Sequence, residues 1–150
     1  MFTNRFFVFS IVIVLLVSAC APKEMKVSPS FNRWQTTDAI QAFHAVGLPI
    51  EILELSKDEH DLFSNQVGQQ SIQFVVPNQG DPDLARGIIF SFQKEIDLQQ
   101  VLDYYIALDQ SLPQYDSWLF VKDNLLLQLN RNIPEEVAKQ YAEALDLLEE

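Results

Sequence analysis

Cys20 is the only thiol among 150 residues, and Val17, Ser18 and Ala19 stand directly before it. A thiolate is a strong nucleophile and takes covalent modification readily. The small Ser18-Ala19 pair leaves the neighbouring backbone open to a processing peptidase. A solitary cysteine makes no disulfide within its own chain and no multi-cysteine zinc site. The other chemistry-bearing residues are sparse. His44 follows Ile40 by four positions and reads as a residue on the border of an apolar helical stripe. His60 lies in Lys57-Asp58-Glu59-His60-Asp61. A metal needs ligands that converge in space, whereas adjacent side chains on a loop diverge, so this cluster reads as a solvated charge run. Asn78, Asp81 and Asp83 offer oxygens of the kind calcium takes, yet their spacing misses the EF-hand pattern and fits a plain hairpin loop. There is no Gly-x-Ser-x-Gly elbow, and four glycines build no phosphate-cradling loop. The 21 acidic residues make carboxylate pairs too common to single one out. No catalytic set, metal site or cofactor is expected. Trp118, Tyr104, Tyr105 and Tyr115 could line a groove for sugar or peptide, but their strand and helix spacing reads as core.

Upstream of Cys20 the pattern is that of a leader. Arg5 supplies a short positive region, and Phe6 to Val17 is a 12-residue apolar run. That run is too short for a spanning helix, which needs about 20 residues. Val17-Ser18-Ala19-Cys20 resembles the lipobox of bacterial lipoproteins. The resemblance implies a diacylglycerol on the Cys20 sulfur, cleavage between Ala19 and Cys20, and Cys20 as the mature N-terminus. Ala21, in place of an inner-membrane-retaining Asp, is similar to cargo released toward the outer membrane of a two-membrane cell. Two or three acyl chains hold a protein at a bilayer stably where one does not. The expected location is the cell envelope, lipid-anchored on the extracytoplasmic side of a membrane.

Charge and length narrow the partners. The chain carries 10 Lys+Arg and 21 Asp+Glu, a formal net charge of −11. Arg5 is the one charged residue before Cys20, so the remainder holds nine basic and 21 acidic residues, net −12. Such a surface repels phosphate backbones, which excludes nucleic acid as the expected partner. It also disfavours a polybasic grip on anionic lipid. The length fits one domain, here with no disulfide to support its core.

Ala21 to Gln35 has prolines, serines and mixed charges without apolar periodicity, and reads as a flexible tether that Trp34 pins to the domain. Thr37 to Val46 reads as a helix capped by Thr37 or Asp38 and stopped by Gly47. Pro49–Leu55 reads as a short strand, and 56–70 as a polar loop. Ser71–Val76 and Gly87–Phe92 form a hairpin around the 77–83 loop. A second helix is capped by Asp97, with Gln100 three residues on, and carries the stripe Leu98, Val101, Leu102, Tyr105 and Leu108. Ser117–Lys122 and Leu125–Asn130 flank Asp123-Asn124, a pair suited to a type I′ turn. Trp118, Phe120, Leu125, Leu127 and Leu129 then share one face, while Leu119, Val121, Leu126 and Gln128 share the other. That second face is still mostly apolar, so either another element covers it or Leu119, Val121 and Leu126 form a contact surface. A last helix starts near Pro134. The expected fold is α+β, a single small domain with an antiparallel sheet of about five strands and helices packed on one face.

The run Phe120 to Asn130, followed by Ile133-Pro134-Glu135-Glu136 and Tyr141, together with Asp38 to Leu48 and Gly87 to Phe92, resembles a group of small bacterial lipoproteins with no assigned activity. It supports the anchor and the fold, and carries over no functional residue. The organisation is then a signal peptide over 1–19, a lipidated cysteine and tether over 20–35, and a globular domain over 36–150. A non-catalytic interaction module with a protein partner in the envelope is the leading expectation. A lipoprotein that holds a small molecule or glycan, in a deep pocket lined by Trp118 or Tyr105, is the alternative.

Overall fold

The chain of elements begins with helix α1, Thr36–Ala45, whose Ala39, Ile40 and Phe43 recur at helical spacing and are all buried. The structure, a computed structural model, describes residues 31–53, 70–112 and 116–148. The helix starts one residue earlier than its sequence suggests. Gln35 occupies the cap, and Asp38 acts from within the first turn, where its carboxylate accepts the Gln35 N–H at 2.7 Å. Gly47 ends the helix at φ 77°, with Gly47 N–H donating to His44 O at 3.0 Å and Leu48 N–H to Phe43 O at 2.9 Å. This pair of bonds is a Schellman motif, which needs a left-handed residue that glycine adopts without strain.

Five strands follow, interrupted by a helix. They are β1 (Glu51–Ile52), β2 (Gln70–Val75), β3 (Arg86–Ser91), β4 (Ser117–Lys122) and β5 (Leu125–Asn130), with α2 (Glu95–Ser111) between β3 and β4 and α3 (Glu135–Asp146) last. They form one antiparallel sheet in the order β1-β2-β3-β5-β4. The architecture is α+β in one small domain, as the element order leads one to expect. Of the expected Pro49–Leu55 strand, the described residues 49–53 show β1 at Glu51–Ile52, and 54–55 lie outside the described residues.

The main core lies between the sheet and the α1/α3 pair. Phe43 meets Tyr141 edge-on at 5.1 Å and Phe74 at 6.0 Å, with Leu125, Leu127 and Leu129 of β5 beneath. The Tyr141 hydroxyl donates to Pro49 O, tying α3 to the chain leaving α1. Burial holds the Tyr141 phenol neutral and pushes its pKa up to about 12. Gly87 is required by packing rather than by a turn. A Cβ there would lie 2.5 Å from Leu129 Cδ2 and 2.6 Å from the Phe74 ring.

The departure from the expected layering is α2. It lies on the opposite face from α1 and α3, where Leu98, Val101, Leu102 and Tyr105 pack on Phe90, Phe92 and Leu126. Both faces of the central strands are apolar, so both need a cover. α2 also begins at Glu95, two residues before the Asp97 expected to cap it. Asp97 instead sits in the first turn, where a negative charge favours the helix dipole.

Candidate functional site

The junction between residues 31–35 and the rest of the domain is built around Asn124. This side chain is fully buried at the β4–β5 turn, and all four of its hydrogen-bonding positions are used. Its Oδ1 accepts the backbone N–H groups of Arg33 at 3.1 Å and Trp34 at 2.8 Å. Its Nδ2 donates to Trp34 O at 2.8 Å and Phe92 O at 3.1 Å. Asn124 O in turn accepts Phe92 N–H at 2.9 Å. One amide thus joins the incoming chain, the end of β3 and the hairpin turn. Trp34 adds a second bond from its indole N–H to Asp123 Oδ2 at 3.0 Å, and its ring packs against the main core. The Arg33 guanidinium lies 4.8 Å from the Trp34 ring centre, within cation–π range. Phe31 packs against the α2-side cluster. The last residues read as tether are therefore part of the domain's packing.

The turn itself differs from its expected form. Asp123 has φ 49°, and Asn124 is not at positive φ. Positive φ at the first central position alone is the pattern of a type II′ turn rather than type I′. This leaves the Asn124 side chain free to turn inward. In the sequence, Asn124 is legible only as a turn former. The one available signal was an asparagine where a glycine would have made the turn with less strain.

The expected contact surface changes in the same way. Leu126 is 0% exposed beneath α2 and offers nothing to a partner, and Leu119 is half-buried against the same cluster. Val121, 49% exposed, is the open member of the three. A charged cluster lies at the start of β4. Arg131 Nε lies 3.6 Å from Asp116 Oδ2, and the Arg131 guanidinium carbon sits 3.3 Å from the Trp118 ring centre. The Asp109 carboxyl, near the C-terminal end of α2, is held above its ordinary pKa, chiefly by a hydrogen bond with Asp116, then by desolvation and the Asp116 charge, with Arg131 opposing.

The remaining candidates find structural employment. His44 is exposed in the last turn of α1. In the 77–83 loop, Asn78 and Gly80 have positive φ, Asp81 Oδ1 accepts Asp83 N–H at 3.0 Å, and Asp83 pairs with Arg86. Among the described residues, no three His, Cys, Asp or Glu gather as a metal would require. Cys20, with the three residues before it, and the His60 cluster lie outside the described residues, as does Tyr115. Trp118 donates its indole N–H to Ile133 O at 2.8 Å, and Tyr105 packs on Phe90, its phenol pushed up to about 12 by burial and by Tyr104. A groove of about 360 Å³ runs between the C-terminal ends of α1 and α3, walled by Val46, Leu48, Gln140, Glu143, Ala144 and Leu147, and neither Trp118 nor Tyr105 is part of it. Among the described residues, no helix is long and apolar enough to cross a membrane. Comparison with protein-family models, with curated proteins and with solved structures gave no significant match.

Proposed function

We propose that this chain is an envelope lipoprotein, anchored through acyl chains on Cys20 and displaying its domain as a non-catalytic module that acts by protein contact. The observation that carries the anchor is Val17-Ser18-Ala19-Cys20 at the end of a 12-residue apolar run. The junction at Asn124 supports the display. The backbone at Arg33 and Trp34 is bonded to the domain, so a pull on the tether is borne by the β4–β5 turn rather than by a loose end. The net charge of −11 supports a domain that stands off anionic lipid. Mass spectrometry of the mature N-terminal peptide tests the anchor. The expected peptide begins at Cys20 and carries acyl chains, and a free Cys20 thiol in the mature protein would end the reading. Mild cross-linking on intact membranes tests the contact function, which predicts a reproducible envelope partner for the wild-type chain.

A second reading, a lipoprotein that holds a small apolar ligand, is favoured by the groove between α1 and α3, whose walls include the exposed Val46 and Leu147. Native mass spectrometry of protein released gently from its membranes would show a bound adduct, lost in Leu147→Glu. Protein free of adduct would remove this second reading and leave the first in place.

A further inference from the structure

We infer that β4 is the pairing strand of a two-fold homodimer, in which Leu119 lies opposite the partner's Leu119 and Lys122 opposite the partner's Asp116. Among the described residues β4 ends the sheet, with β5 on one side and no strand on the other. Lys122 and Leu125 flank a two-residue turn and oppose each other. In such a hairpin the flanking residues are a hydrogen-bonded pair, and the alternation of an antiparallel ladder follows from it. The backbones of Lys122, Phe120 and Trp118 therefore turn toward β5, and those of Leu119 and Val121 turn outward to the open edge.

Natural edges are protected by proline, a bulge, a charge placed mid-strand or very short length. β4 has six residues in unbroken register with β5, no proline, no acidic residue, and its single charge, Lys122, at the end. The opposite edge, β1, spans two residues among the described ones. In a chain of net charge −11, two copies repel over most approaches. Ser117–Lys122 is a six-residue stretch from which acidic side chains are absent.

The charges then select the register. A two-fold axis perpendicular to the sheet keeps each face continuous and must pass midway between one residue of β4 and the same residue of the other copy. With the axis at Leu119, the outward backbones of Leu119 and Val121 meet outward backbones of the other copy. Trp118 opposes the partner's Phe120 on the α1/α3 face, an aromatic cross-strand pair. Lys122 opposes the partner's Asp116 twice over. Lys122 has no ion-pair partner in its own chain among the described residues, while Asp109 and Asp116 share one cation, Arg131. Each Lys122 thus supplies the charge that this cluster lacks. With the axis at Phe120, Lys122 would instead face the partner's Trp118 and the match would be lost. The two five-stranded sheets join into one.

Cysteine cross-linking in the full chain on its membrane tests this. Opposed residues of a hydrogen-bonded antiparallel pair have Cα atoms about 5.5 Å apart, within disulfide reach. Leu119→Cys should give a disulfide-linked dimer on mild oxidation. Val121→Cys, displaced from its own copy by four residues or about 13 Å, should stay monomeric. The wild-type chain, whose one cysteine is Cys20, serves as the control. Adding Lys122→Glu to Leu119→Cys should reduce the dimer at least several-fold, and adding Asp116→Lys as well should restore it. Sedimentation of the wild-type chain, which needs no substitution in the strand, should give twice the chain mass and the Lys122→Glu variant the single mass. A wild-type chain that sediments as a monomer at every concentration overturns the proposal. So does equal cross-linking at positions 119 and 121, or a Lys122→Glu variant that dimerises as the wild type does.

Discussion

The two faces of the sheet are covered to very different depths. On the α1/α3 side, a ten-residue helix sinks Ala39, Ile40 and Phe43 into a cluster that also takes Tyr141 and Leu145 from α3. On the other side, α2 is longer, at 17 residues, yet Leu98 is its one buried apolar residue, and Ile96, Tyr104 and Ile106 face solvent. Helix length and propensity thus say little about how much a helix contributes. Burial of an apolar stripe does, because most helical stability in a protein comes from packing. The α2 side should open first in local unfolding, and the α1/α3 side only with the whole domain.

The largest expected effect is at the centre of the deep side. Phe43→Ala should cost about 3–5 kcal/mol in denaturant unfolding, because it removes a ring in contact with both Phe74 and Tyr141. A loss no greater than that of Leu102→Ala would break the comparison. Asn124→Leu should cost about 1–3 kcal/mol, since the Arg33 and Trp34 amides and the Phe92 carbonyl lose their buried partner. Hydrogen exchange should then quicken at the Trp34 amide and stay slow in α3. Gly87→Val should fall in the same range of about 1–3 kcal/mol by overpacking against Phe74 and Leu129. Phe74→Leu in the same chain should recover part of that loss by making room. Leu102→Ala, half-buried on the shallow side, should cost about 1 kcal/mol and raise exchange within α2 before any change in α1.

The smallest effect at neutral pH is the tyrosine titration, which sharpens the comparison only in alkali. Burial raises the pKa of both Tyr105 and Tyr141 from the ordinary phenol value of 10.0 to about 12 in the fold, with the Tyr104 charge adding to the Tyr105 shift. The unfolded chain then binds fewer protons, so their stabilisation is complete below pH 10 and lost as pH rises toward 12. Tyr141→Phe should flatten the global alkaline transition. Tyr105→Phe should act mainly on α2, read by far-ultraviolet dichroism and exchange across the same pH range.

Much of the fold was legible in the residues. Trp118, Phe120, Leu127 and Leu129 alternate onto one face, and Gly47 stops α1, because side-chain period and backbone sterics act locally. The candidate contact surface was legible only in part. Leu119, Val121 and Leu126 were correctly placed on one face, but that face is shared with α2, which leaves Val121 as the exposed member. Asn124 was read as a turn residue because its partners, Arg33, Trp34 and Phe92, lie up to 91 positions away in the chain.

The sequence by itself determined the acidic balance, the α+β class and the two-faced apolar strands, since each follows from composition or from periods of 2 and 3.6 residues. Tertiary structure alone decided which face α2 covers and what Asn124 holds. When both sides of a sheet are apolar, either side rewards a covering helix, and the choice is made by connections and packing that no local pattern records. A buried amide is likewise defined by the four groups that come to meet it, and these are assembled only when distant segments fold together.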